Sequence, residues 1–216
     1  MLGKRVTNNI LRLFSRLFKR VFREYPAVLK QTSDSHFTSF VHSRLIEPPN
    51  VQHTIIDETA VLSLIRGKTV LDCGCGIGRW GYLLRKKGCA VVGFDLTKSN
   101  VIEAKKLSKY SALLVADASY LPFKEGSFDC LMAVELLEHL PKEKGVKFLE
   151  DTKRLARKLV VLSTPSGYFE ALCDLPGEIH QSGWNKEELE AFGFRCWLHK
   201  NNLYDWLLCI HNKVET

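Results

Sequence analysis

Apolar residues recur along this chain with two different periods. Between Ile10 and Phe22, residues Ile10, Leu11, Leu13, Phe14, Leu17, Phe18, Val21 and Phe22 fill one half of a helix. Arg12, Arg16, Lys19, Arg20 and Arg23 fill the other half, and Pro26 stops or bends the helix. Residues 31–50 are polar and end in Pro48-Pro49, which reads as a connecting segment. From residue 51 onward, helical and strand periods alternate. Helical spacing covers Val51 to Ile65, a stretch after a Gly-rich turn as far as Lys87, Asn100 to Leu107 behind Ser99 as cap, Lys142 to Arg157, and Lys186 to Phe192. Short apolar runs at 68–73, 90–94, 112–116, 128–134 and 159–163 read as strands, and 194–199 and 203–210 as two closing strands.

Runs that are apolar on both faces mean a sheet covered by helices on both sides. The expected fold is therefore α/β: a doubly wound, mostly parallel, Rossmann-like sheet of seven strands, preceded by an amphipathic helix. The expected division is an arm over residues 1–50 and one domain over 51–216. Ligands of such sheets bind outside the carboxyl ends of the strands, so functional residues should lie just after strands.

Charge sharpens this division. The chain has 216 residues and a net charge of +7. Residues 1–30 hold eight Lys and Arg against the single acid Glu24, so the arm accounts for the whole excess and the remainder is balanced. Three readings of the arm stay open: a cap helix packed on the domain, a helix lying on anionic lipid, or an arm for a partner or nucleic acid. The neutral domain has no basic stripe with interleaved aromatics, which argues against nucleic acid. No apolar window is long enough to span a bilayer. The first residues lack a continuous apolar stretch and a small-residue cleavage site, so no secretory leader is expected. The seven cysteines show neither zinc spacing nor an obvious disulfide framework. Each reads as a small buried hydrophobe in a reducing, cytoplasmic setting. Of the three readings of the arm, the lipid one would add peripheral contact with an anionic membrane through residues 10–23.

The chemistry concentrates after the first strand, in Asp72-Cys-Gly74-Cys-Gly76-Ile-Gly78. Asp95 ends the next strand and Asp117 the third. An acid in the position of Asp95 suits ribose hydroxyls. The leading Asp72 would repel a pyrophosphate but suits the ammonium of an amino acid.

VLDCGCGIGRWG (70–81), VVGFD (91–95), VADA (115–118), LPF-x4-FD (121–129) and AVELLEHL (133–140) resemble, in order and spacing, the successive motifs of class I S-adenosylmethionine-dependent methyltransferases. The resemblance spans residues 51–211. It implies a seven-stranded sheet whose last strand is antiparallel, with S-adenosylmethionine as cofactor and S-adenosylhomocysteine as product. Asp72, Gly74, Gly76 and Gly78 would hold the methionine part. Asp95 would take the ribose hydroxyls, with Leu96 beside the adenine, Asp117 and Ala118 at its edge, and Val134 near the methionine. Arg44 is a candidate for the cofactor carboxylate on its charge alone.

On the acceptor side, a base is expected after the fourth or fifth strand. The candidates are Glu135 and His180, the latter in EIHQSGW (178–184). If Glu135 opens a helix, Glu138 and His139 share its face. E-x-x-E-H with a later His also resembles the metal site of two methyltransferase groups. A divalent metal is weighed for these residues and not favoured over local packing. Trp184 reads as a packing anchor. The expected activity is methyl transfer to a small-molecule acceptor, an oxygen of a lipid-linked, quinone-like or saccharide compound. The alternatives are an RNA or protein methyltransferase, or a silent scaffold of the same fold.

Overall fold

The computed structural model describes residues 58–107, 110–169, 179–200 and 205–213. The expectations for the arm, including Arg44, fall outside these residues. In chain order the elements are α1 (Glu58–Leu64), β1 (Thr69–Cys73), α2 (Arg79–Lys86), β2 (Ala90–Asp95), α3 (Lys98–Leu107), β3 (Ala112–Val115), β4 (Phe128–Val134), a 3-10 turn (Leu137–His139), α4 (Lys142–Leu155), β5 (Ala156–Pro165), α5 (Lys186–Ala191), β6 (Arg195–His199) and β7 (Trp206–Asn212). The strands form one sheet in the order β3-β2-β1-β4-β5-β7-β6. Strands β1 to β5 pair in parallel, and β7 runs antiparallel to both β5 and β6.

Two apolar layers hold the sheet between them. Leu71, Phe94, Leu131, Val160 and Leu162 pack on one face with Phe148 and Leu149 of α4, Trp184, and Leu189 of α5. Val70, Val91, Met132 and Val161 pack on the other with Val61 of α1 and Trp80 and Leu84 of α2. Strand β4 (FDCLMAV) is buried along its length except at Asp129, as a central strand covered on both faces must be. Asp129 instead clamps the amino ends of the strands. Its Oδ2 accepts from the Lys68 and Thr69 amides at 2.8 and 3.1 Å, and Arg157 pairs with Oδ1 at 3.0 Å.

Some boundaries differ from the periodicity. Helix α3 starts at Lys98, so Ser99 lies within its first turn rather than capping it. Helix α4 ends at Leu155, and Ala156–Lys158 already belong to β5 because Ala156 pairs with Phe128 across the sheet. The cysteine reading needs a larger correction. Cys196 and Cys209 stand directly opposite each other on β6 and β7, with Cα atoms 4.1 Å apart, and form a disulfide. Cys73, Cys75, Cys89 and Cys130 are buried thiols, as expected.

Candidate active site

The strand order reverses beside β1, whose neighbours are β2 and β4. The crevice at the carboxyl ends of these strands is where a doubly wound sheet takes its ligand. Every cofactor residue expected from sequence and covered by the structure ends or follows β1, β2, β3 or β4.

The turn after β1 is left-handed at three glycines, with φ of 64° at Gly74, 51° at Gly76 and 94° at Gly78. Gly76 has open space where a Cβ would project, so backbone conformation, not crowding, requires glycine there. Gly78, in the left-handed conformation, is the N-cap of α2. Asp72 is 2% exposed, and the Tyr110 hydroxyl donates to its Oδ2 at 2.6 Å. Burial, then the Asp72 charge, push the Cys73 and Cys75 thiols up, so both stay protonated in the turn.

Asp95 ties the second strand end to this turn. Its Oδ2 accepts from the Gly76 amide at 2.9 Å, and its Oδ1 from the Thr97 amide at 2.8 Å and Asn100 Nδ2 at 3.1 Å. A carboxylate has about four acceptor positions, so capacity remains for a ribose hydroxyl. Leu96 is 62% exposed, an apolar surface beside Asp95. Asp117 follows β3. Burial raises its pKa, but the Ser119 hydrogen bonds and Lys144 outweigh this and hold it below the usual carboxylate range. Ala118 is buried next to it, and Val134 is buried at the end of β4.

The acceptor side departs from its expected form. Glu135 does not open a helix. It has φ 53°, the one left-handed residue among the described chain that is not glycine, and the 3-10 turn begins only at Leu137. Its amide donates to the Ser163 carbonyl at 3.1 Å, and the Ser163 hydroxyl donates to its Oε1 at 2.7 Å. Glu138 is 2% exposed and accepts from the Thr164 hydroxyl at 3.0 Å. Ser163 and Thr164 are consecutive on β5, so their side chains leave opposite faces of the sheet. The E-x-x-E pair is therefore divided, and the shared helix face does not exist.

Glu138 instead joins His139 and His180. One ligand-capable atom from each of the three lies within 4.8 Å of the others. The imidazoles meet edge to face with centroids 4.9 Å apart. His139 Nδ1 donates to the Ile179 carbonyl at 3.3 Å, and His180 Nδ1 donates to the Phe169 carbonyl. Both rings are thus held in the tautomer that directs an Nε2 lone pair away from the backbone. The Gln181 and Ser182 amides donate to the Glu138 carbonyl, which seats the His180 loop on the 3-10 turn. The donor set fits a divalent cation: a buried carboxylate and two imidazoles whose second nitrogens are backbone-anchored. Trp184 is fully buried, its Nε1 on Ser182 Oγ and Lys142 over its ring, so it is the packing anchor expected.

Sequence reasoning missed Tyr110, Ser163 and Thr164. The two hydroxyls at the end of an otherwise apolar run, LVVLST, were the available signal for the last pair.

Residues 70–158 match the family model described as a methyltransferase domain. Ubiquinone biosynthesis O-methyltransferase of Coxiella burnetii is 32% identical over 107 residues, covering 48% of this chain and 42% of the relative. Tocopherol O-methyltransferase of Arabidopsis thaliana is 34% identical over 96 residues, covering 41% of this chain and 27% of the relative. The chain thus spans less than half the length of these curated relatives. Among solved structures, magnesium protoporphyrin IX methyltransferase of Synechocystis with bound SAH superposes with a TM-score of 0.60 at 18% identity, covering 91% of this chain and 99% of that one. That likeness concerns the fold. Residues 70–158 thus match a methyltransferase domain, and the fold around the glycine turn and its three acids is that of S-adenosylmethionine-dependent methyltransferases.

Proposed function

We propose that this chain transfers the methyl group of S-adenosylmethionine to an oxygen of a small-molecule acceptor, lipid-linked and quinone-like, with a saccharide as the second acceptor class. The observation that carries the reading is the Glu138–His139–His180 group, whose first two members follow β4 at the carboxyl end of the sheet. A sulfonium methyl is already activated, so the protein has to align the acceptor and take its proton. His180 has the chemistry for the second task. Its Nδ1–H is held by Phe169, so Nε2 is the acceptor nitrogen. The acceptor O–H proton passes to Nε2 as the oxygen forms its bond to the methyl carbon and the carbon–sulfur bond breaks. The sulfonium charge is lost, and S-adenosylhomocysteine and the imidazolium remain. Glu135, fixed by Ser163, stands at the same end of the sheet as a second polar group for the acceptor.

The named relatives support an O-methyl, small-molecule chemistry. The basic amphipathic stretch at 10–23, outside the described residues, suits an acceptor that resides in a membrane. Flotation of the full chain with anionic vesicles tests that contact.

A second reading follows from the same group. Glu138, His139 and His180 would hold a divalent cation, which would lower the pKa of a bound acceptor hydroxyl. His180 cannot then serve as base, since its Nε2 lone pair is engaged. The deciding experiment incubates the full chain with methyl-labelled S-adenosylmethionine and prenylated catechols and quinols, saccharides, RNA and protein, with and without chelator. Label in an organic-extractable product that persists in chelator supports the leading reading. Loss of that product in chelator, restored by magnesium or manganese, supports the cation. Label only in RNA or protein overturns both.

A further inference from the structure

Tyr110 lies just before β3, and its ring lies between α2 and the sheet in a slot that two missing side chains create. A Cβ on Gly81 of α2 would fall 2.0 Å from the tyrosine Cζ, and a Cβ on Gly93 of β2 would fall 2.6 Å from Cε1. The slot delivers the hydroxyl to the floor of the glycine turn. There it donates to Asp72 Oδ2 at 2.6 Å, beside the Cys75 thiol and the Gly81 amide. Burial and the Asp72 charge push the phenol well above its usual range, so it remains a donor. A ring alone would fill the slot equally well. The hydroxyl therefore needs its own explanation, and it donates to the leading acid of the turn at 2.6 Å.

We infer that Tyr110 is a positioning residue for the amino-acid end of the cofactor, holding the Asp72 carboxylate in the orientation that meets the ammonium. This rests on the assignment of Asp72 to the methionine part. A carboxylate as buried as Asp72 needs donors to remain charged, and a donor fixed to one oxygen also fixes the plane of the other. The tyrosine is itself held rigidly between helix and sheet, so it transmits that rigidity to the acid.

Tyr110→Phe removes the hydroxyl and keeps the ring. The discriminating ligands are S-adenosylhomocysteine, which has the ammonium, and 5′-methylthioadenosine, which keeps the adenosine and thioether but has no amino-acid end. Calorimetry on the full chain should show Y110F binding S-adenosylhomocysteine about tenfold more weakly, the size of one lost hydrogen bond to a charged group. Binding of 5′-methylthioadenosine should stay within about twofold, and it also reports that the variant is folded. Equal losses for both ligands would make Tyr110 a packing residue and overturn the inference, as would no loss for either. Asp72→Asn separates the underlying assignment. If D72N weakens both ligands alike, the assignment of Asp72 to the ammonium fails. If D72N selects against S-adenosylhomocysteine and Y110F does not, only the inference about Tyr110 fails.

Discussion

The Ser163 hydroxyl donates to Glu135 Oε1 at 2.7 Å, and the next residue on β5, Thr164, donates to Glu138 Oε2 at 3.0 Å. Two adjacent hydroxyls thus anchor two glutamates that sequence spacing would place together. Strand alternation sends Ser163 toward the α1–α2 side and Thr164 toward the α4–α5 side. The carboxylates consequently serve different neighbours: Glu135 the β4–β5 junction, Glu138 the two histidines.

That separation sets unequal consequences for the two hydroxyls. Thr164→Val removes a donor from a carboxylate that is 2% exposed and should cost about 1–3 kcal/mol of stability. Ser163→Ala should cost less stability, since Glu135 is only partly buried, and should lower kcat while leaving the dissociation constant for S-adenosylhomocysteine unchanged. Chemical denaturation and single-turnover kinetics on the two variants check this. Equal stability losses would mean that the glutamates share one environment after all.

Asp95 carries a local duty besides the ribose contact expected of it. Its three internal hydrogen bonds join the glycine turn to the start of α3. Asp95→Ala should weaken S-adenosylhomocysteine binding by about 1–3 kcal/mol and also lower Tm, because the Gly76 amide loses its acceptor. Asp95→Asn keeps an acceptor oxygen and should retain more stability than affinity. An unchanged calorimetric dissociation constant for D95A would remove the ribose assignment.

Much of the sheet was legible because its strands are buried on both faces, which leaves continuous apolar runs such as FDCLMAV and LVVLS. The glycine turn and Asp95 and Asp117 were legible because a crevice at strand ends demands small residues and acids at fixed offsets. Features that depend on register were not. The Cys196–Cys209 bond exists because β6 and β7 pair residue 196 with 209, and neither spacing nor composition encodes that register. The left-handed Glu135 was equally hidden. A residue type seldom found at positive φ is held there by the Ser163 contacts, which are long-range. Tyr110 left a trace only in hindsight: Gly81 and Gly93 are small at positions where a helix and a strand would ordinarily pack side chains.

Those two glycines give a packing test. Gly93→Ala places a methyl against the ring of Tyr110 and the side chain of Leu113, at 2.6 and 3.0 Å, and neither neighbour can retreat far in a packed layer. The variant should lose about 1–3 kcal/mol. Combined with Tyr110→Leu, which trims the ring, the loss should be less than the sum of the two single changes. Additive losses in thermal melts would show that Gly93 is small for some other reason.

Asp129 provides a pH test away from the crevice. Burial raises its pKa, but the Lys68 and Thr69 amides, Arg157 and the Thr69 hydroxyl together outweigh this and hold the carboxyl well below its usual range. A carboxylate with a depressed folded pKa contributes stability that is present above its unfolded value, about 3.9, and is lost as pH falls toward the folded value. Asp129→Asn removes that contribution at neutral pH. Near pH 7 it should therefore be less stable than the parent by about 2–3 kcal/mol, the size expected for a strongly hydrogen-bonded, mostly buried carboxylate. Below about pH 4 the parent loses the same contribution by protonation, so the gap between the two should narrow. Urea unfolding across this range measures the gap directly. A gap that stays constant with pH would show that the clamp acts through shape and not through charge.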